Sequence, residues 1–297
     1  MALTSLVYIL VPVGLVFIMV VVGSQLTSAD FKRAVGALSL IAAALASQWL
    51  ILPLITAALI FWMSPPPVVA VGVALVAVSP IASLSNFYVM LARGNLGLAV
   101  TLTALSSVLA LAAAPISLAL LSSLLPELAL GVEIPARSVL LQSLLTLVLP
   151  LAAGIAIRFH ASEWVARWNS WLQRLSLAVL ALVVGLIFAT QVLSMPTDIL
   201  IALIQLALLF TIILTIAGAL TVRLLATKFP EMVAASAGFP ARNLGFATLL
   251  AVQVAGRTEF AAFAAVFFVM QLLVLVPLAL ALRKLVAITR LRHERPS

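Results

Sequence analysis

The chain contains no cysteine, and only eight of its 297 residues are acidic. The first absence excludes disulfides, thiolate metal sites and cysteine nucleophiles. The second matters by position: no Asp, Glu or His falls inside the long apolar runs, and Glu231 and Glu259 sit only at their ends. Without an acid pair, a nucleophile–base pair or a metal-ligand cluster in the runs, the chain is not read as a membrane-embedded enzyme. There is also no extended polar region. The longest polar stretches are 158–174 and the tail after Leu282, which leaves no room for a soluble domain. A non-transporting receptor or scaffold is the alternative class, but it needs an interaction domain that this chain does not have.

What is present is apolar: 65% of residues are hydrophobic and 8% charged. Runs long enough to cross a bilayer recur along the whole length, the pattern of an all-α polytopic membrane protein. Spans are predicted at about 5–25, 34–60, 67–91, 96–124, 138–157, 173–193, 199–222, 231–254 and 260–282. The first lacks a basic n-region and a small-residue cleavage site, so it is read as a span and not a signal peptide. The net charge of +8 is topological and does not point to nucleic acid. With these spans, every basic residue falls on one side except Arg137 and Arg257 on the other and Arg242 within a span. That bias predicts an odd number of spans in a bacterial inner membrane, N-terminus outside and C-terminus in the cytoplasm. Trp62, Trp164, Trp168 and Trp171 lie near predicted interfaces, where an indole keeps one wet edge. The 158–174 segment reads as an amphipathic cytoplasmic connector between two halves.

Two spans are unusual. The eighth contains Gly238-Phe239-Pro240-Ala241-Arg242-Asn243-Leu244-Gly245. Pro240 lacks a backbone donor and clashes with the preceding turn, so a helix breaks or kinks there. A break at membrane depth is tolerated only where protein, water or ligand satisfies the freed peptide groups. Arg242 lies about midway along that span, and a charge at the bilayer centre costs roughly 3 kcal/mol on insertion scales. The third span carries Val78-Ser79-Pro80-Ile81-Ala82-Ser83-Leu84-Ser85-Asn86, again a proline followed by small and polar residues. Paired discontinuous helices in two halves point to an inverted-repeat transporter with its site at the midplane. The plain alternative is two kinked helices whose Ser and Thr bond their own backbone. Gln48, mid-span ahead of Pro53, has four amide groups to satisfy, while Thr101, Thr103, Ser106 and Ser107 form a hydroxyl-rich patch.

These residues carry a family resemblance. Ser85-Asn86, Leu91-Ala92-Arg93-Gly94-Asn95 and Val100-Thr101-Leu102-Thr103-Ala104-Leu105-Ser106 resemble the signature of the bile acid:sodium symporter family. Gly14 to Phe31, ending in Ser28-Ala29-Asp30-Phe31, resembles its glycine-rich helix and following loop; Gln48 with Pro53 and Asn243-Leu244-Gly245-Phe246-Ala247 add weaker matches. The resemblance implies two inverted repeats, a panel and a core domain, and two crossed discontinuous helices. Here about 1–124 forms a first repeat lacking its leading helix, about 138–285 a second, and 286–297 a cytoplasmic tail, all within one transmembrane domain. It further implies a symporter moving a small organic anion across the lipid bilayer by alternating access, with no cofactor beyond sodium. Ser85, Asn86 and Thr103 match one sodium site, where a further hydroxyl position becomes Ala99, and Gln48 matches a second. The acid that serves both sites falls at Gly238 and the following amide at Arg242, which leaves the locality two charge units more positive than the family pattern.

Sodium takes about five or six oxygen ligands and in a low-dielectric site usually includes a carboxylate, which these spans lack. Two expectations follow. In one, the Arg242 guanidinium replaces the second sodium and transport is sodium-independent; in the other, one reduced sodium site survives at Ser85, Asn86 and Thr103. The substrate is expected by the crossing, near Ser83, Asn86, Arg242 and Asn243. It is a steroid-like acid, a keto or hydroxy acid, or a vitamin-type carboxylate. Efflux of the arsenite or auxin type is the competing direction, and the missing cysteine speaks against a thiol-dependent arsenite carrier. Oligomeric state is left open.

Overall fold

The computed structural model describes residues 2–27, 38–125, 135–225 and 228–293. Among these residues the chain is helical apart from turns and one isolated bridge. The helices are α1 (Ala2–Gln25), α2 (Leu38–Met63), α3 (Pro67–Ala77), α4 (Leu84–Leu91) and α5 (Leu96–Leu124). They continue with α6 (Ala136–His160), α7 (Ser162–Val192), α8 (Thr197–Leu225), α9 (Phe229–Ala237), α10 (Leu244–Val254) and α11 (Ala261–His293). Seven of them (α1, α2, α5, α6, α7, α8 and α11) are long and apolar enough to cross a membrane. They fall on seven of the predicted spans. The other two predicted spans are the pairs α3/α4 and α9/α10, each interrupted where its proline sits.

The segment read as a connector, 158–174, is not a separate element. Only Ala161 is non-helical there, and Ser162 begins a helix that continues through the following apolar run. No glycine or proline intervenes between 162 and 184, so nothing stops the helix. Likewise α11 does not end at the predicted tail but runs to His293, since the next proline after Pro277 is Pro296. The Ser28–Phe31 part of the family resemblance lies outside the described residues.

Small residues set the closest helix contacts, as expected where lipid removes the hydrophobic drive between helices. A Cβ on Gly23 would lie 2.1 Å from the Leu151 carbonyl oxygen, and one on Gly154 would lie 2.1 Å from that of Val20. The backbones of α1 and α6 therefore touch. With α7 these helices form one layer, and α2, α5, α8 and α11 pack around the two interrupted pairs in another.

The Leu91–Asn95 motif is the turn that joins α4 to α5. Arg93 closes α4 in the left-handed region at φ 59°. The Asn95 side-chain oxygen then accepts from the Leu98 N–H at 3.1 Å and caps α5. The Asn95 N–H donates to the Pro230 carbonyl at 2.9 Å, tying this turn to the start of α9. Beyond α10, Gly256 at φ 65° provides the left-handed residue that ends the helix.

Candidate functional site

The two interruptions meet. Residues 78–83 and 238–243 run antiparallel, with Ile81 bridged to Arg242. The Ala82 N–H donates to the Ala241 carbonyl at 2.8 Å and the Asn243 N–H to the Pro80 carbonyl at 2.8 Å. The Ile81 N–H, left over from this pairing, donates to Ser106 Oγ at 3.0 Å. Groups that neither helix could satisfy are thus shared between the breaks or passed to α5, as burial away from water demands.

The carbonyls that remain converge on Arg242, which is 1% exposed. Its Nη1 donates to Gln48 Oε1 at 3.2 Å and to the Gly238 carbonyl at 3.3 Å. Its Nη2 donates to the Ala77 carbonyl at 3.4 Å and, more closely, to that of Ser79. Four of the five guanidinium donors are engaged, and Nε has no protein partner. The guanidinium carbon also stands 5.9 Å from the centre of the Trp49 ring, within cation–π range. A Cβ at Gly238 would lie 2.9 Å from both Gln48 Nε2 and Ile81 Cδ1, so a side chain there requires those two side-chain ends to shift. Gln48 and Arg242, 194 residues apart, are thereby brought into one cluster.

Ser85, Asn86 and Thr103 form a second cluster. Ser85 Oγ lies 3.5 Å from Asn86 Oδ1 and 3.3 Å from Thr103 Oγ1, and Thr103 Oγ1 lies 3.3 Å from Asn86 Oδ1. The Thr103 hydroxyl donates to the Ala99 carbonyl at 2.9 Å. Around a hard cation with oxygens at about 2.3–2.6 Å, adjacent oxygens sit roughly 3.3–3.7 Å apart, so this triangle has the dimensions of one octahedral face. No carboxylate lies beside it among the buried polar residues. The nearby hydroxyls of Thr101 and Ser107 bond their own helix, to Gly97 and Thr103.

Ser83 and Asn243 make a third grouping. The Asn243 side-chain oxygen accepts from the Phe246 N–H at 3.1 Å and caps α10, while its Nδ2 is buried without a partner. Both residues, with Arg242, line a small cavity of about 20 Å³ that also receives Gln271. Both polar atoms of the Gln271 side chain are buried and unpartnered. The sequence singled out no role for this residue, since one glutamine in an apolar run resembles any other.

A larger cavity of about 360 Å³ begins at Ser83 and Asn86 and extends between α1, α4, α5 and α7. Its walls include Val21, Val22, Phe87, Met90 and Leu177, and it reaches Gln25, Gln173 and Arg174. The C-terminal ends of α1 and α4 and the N-terminal ends of α5 and α7 all lie around its far end. Arg174, one of the basic residues the charge count placed on one side, lines that end.

Residues 12–197 match a family model described as the Sodium Bile acid symporter family. A relative from Bacillus subtilis (strain 168), described as an uncharacterized sodium-dependent transporter, YocS, is 29% identical over 160 residues. That alignment covers 54% of this chain and 47% of the relative, so the chain matches about half the length of that protein. The matched family stretch contains the first interruption and ends before the second, so Arg242 lies outside it.

Proposed function

The chain belongs to the sodium bile acid symporter family, and from that premise we propose that it is a secondary transporter of a small organic anion, working by alternating access without sodium at the Arg242 position. The observation that carries this reading is the engagement of Arg242 with four oxygens, three of them backbone carbonyls freed by the breaks. A set of carbonyls and one amide oxygen is what a hard cation seeks. Here a covalently fixed cation takes it, and Gly238 supplies the space by having no side chain. The fixed charge holds the crossing together and biases the neighbouring cavity toward anions. The antiparallel pairing of the two interruptions supports two inverted repeats, about 1–124 and 138–285, with nine crossings. With the basic end in the cytoplasm, the larger cavity opens inward, and the layer of α1, α6 and α7 rocks against the remainder.

A second reading keeps one sodium. It rests on the oxygen triangle of Ser85, Asn86 and Thr103, whose spacing suits a hard cation. In that case Ser85, Asn86 and Thr103 hold a single coupled ion, completed by backbone carbonyls.

The test is uptake of an organic-anion panel by the reconstituted protein, with sodium replaced by potassium or choline. Equal uptake in all salts is expected. Accumulation driven by a sodium gradient would overturn the Arg242 reading in favour of the reduced site. A panel of steroid, hydroxy and keto acids that yields neither binding nor uptake counts against transport of an organic anion altogether.

A further inference from the structure

We propose that the protein holds one anionic phospholipid, with an acyl chain in an apolar slot between α8 and α11 and its phosphate between Arg223 and Arg283. The slot shares no lining residue with either cavity described above, and the proposal does not depend on the transport reading. Phe210 of α8 meets Phe263 and Phe267 of α11. Further along the same two helices, Thr215 and Ala219 line the slot together with Leu275 and Ala279. The helices therefore run in the same direction, and both finish in basic residues. Tyr88 of α4 and Pro240 of the second interruption form the back wall. The volume of about 160 Å³ is the size that takes a six-carbon apolar group. Thr215 donates to the Thr211 carbonyl at 2.7 Å and Ser236 to that of Val233 at 3.3 Å, so along α8 and α9 the slot presents hydrocarbon.

Two lining residues, Ala219 and Leu278, are exposed, so the slot opens between α8 and α11. Ile216, Leu220 and Leu224 on α8 are exposed as well. Exposed aliphatic side chains on two spanning helices face lipid, so what enters the slot comes from the bilayer. Arg223 lies one turn beyond Ala219, and Arg283 one turn beyond Ala279, each on the same helix face as its alanine. Side chains on a helix lean toward its N-terminus, so both arginines lean back toward the end of the slot, and both are exposed. Glu231 stands on the side of α9 opposite Val233 and Ala237, which line the slot. A guanidinium fork takes phosphate oxygens in parallel hydrogen bonds. Hydrocarbon space one helical turn, roughly 6 Å, from two such forks has the layout of a phospholipid and not of a free anion. A zwitterionic headgroup brings its own cation to the arginines, so an anionic lipid is preferred.

The test is lipid binding to the full chain in detergent, read by native mass spectrometry and by the thermal midpoint. The probes are dioleoylphosphatidylglycerol, dioleoylphosphatidylcholine and glycerol 3-phosphate. Retention of one phosphatidylglycerol is expected, bound about tenfold or more tighter than phosphatidylcholine, while glycerol 3-phosphate leaves the midpoint unchanged. Arg223→Gln with Arg283→Gln is expected to abolish the preference. Arg158→Gln with Arg167→Gln, which removes two other basic residues, is expected to leave it within about twofold. Ala219→Trp, which blocks the opening, is expected to weaken binding of both lipids. Arg223, Arg283 and Ala219 are exposed, so their variants are expected to unfold at the wild-type temperature when no lipid is added. A preference that survives loss of Arg223 and Arg283, or falls equally in the second pair, would overturn the proposal in favour of diffuse surface charge. Glycerol 3-phosphate that binds as tightly as the lipid would replace it with a free-anion site. Wild-type binding of both lipids by Ala219→Trp would remove the slot from the site and overturn it likewise.

Discussion

Arg242 on the second interrupted helix donates to the side-chain oxygen of Gln48 on α2 across 3.2 Å, with the Gly238 carbonyl taking the other hydrogen of the same nitrogen. Through this contact a buried charge is dispersed over protein oxygens and the crossing is braced from a third helix. Removing the guanidinium leaves three buried carbonyls and an amide oxygen without donors. Arg242→Ala is therefore expected to destabilise the protein by about 3–5 kcal/mol, measured as a lower thermal midpoint in detergent. Arg242→Lys keeps the charge but gathers its donors at one point, so an intermediate loss is expected. An alanine variant as stable as wild type would show that the contacts do not hold the crossing.

The resemblance of Asn243-Leu244-Gly245-Phe246-Ala247 implies an acid and an amide where this chain has Gly238 and Arg242. Restoring both, as Gly238→Glu with Arg242→Gln, is expected to create sodium-dependent stabilisation. Sodium chloride should then raise the thermal midpoint relative to choline chloride in the double variant and not in wild type. Gly238→Glu alone places a carboxylate beside the Arg242 guanidinium and shifts the Gln48 side-chain end, so it is expected to show no sodium-dependent midpoint because the fixed cation already pairs with the new acid. A wild-type midpoint that rises with sodium would instead locate a cation at the Ser85–Asn86–Thr103 triangle.

Gly23 and Gly154 let α1 and α6 approach until backbones touch. Gly23→Leu or Gly154→Leu must push the helices apart and is expected to cost about 1–3 kcal/mol or more. Gly185, with nothing within 4 Å of a Cβ, is the matched control: Gly185→Ala is expected to leave the thermal midpoint unchanged or slightly higher.

The cysteine-free chain suits single-cysteine labelling. Ser83→Cys lies in the larger cavity and Gln25→Cys at its basic end. Both are expected to react with a membrane-impermeant maleimide applied from the cytoplasmic side of inverted vesicles and to be protected in intact cells. Reaction from the outside alone would reverse the assigned orientation.

The apolar runs, the positions of Pro80 and Pro240, and the anomalous charge of Arg242 were legible in the sequence because each is local. Proline breaks a helix wherever it lies mid-run, and a lone arginine in hydrocarbon needs a reason. Ser85, Asn86 and Thr103 were likewise legible through a short motif with helical spacing. At 158–174 the amphipathic pattern was legible, but not that one helix would run from Ser162 through it into the next apolar run, which follows from the lack of glycine or proline between 162 and 184.

What the sequence by itself determined was the class of molecule, the family, and which two helices break, since these follow from composition, motif and proline chemistry. Which oxygens Arg242 reaches was decided only by the tertiary structure. Its partners are backbone carbonyls, common to every residue type, and they become acceptors only where two breaks cross. The same holds for Gln271. Nothing in its neighbouring residues distinguishes it, and only the small cavity it shares with Ser83, Arg242 and Asn243 sets it apart.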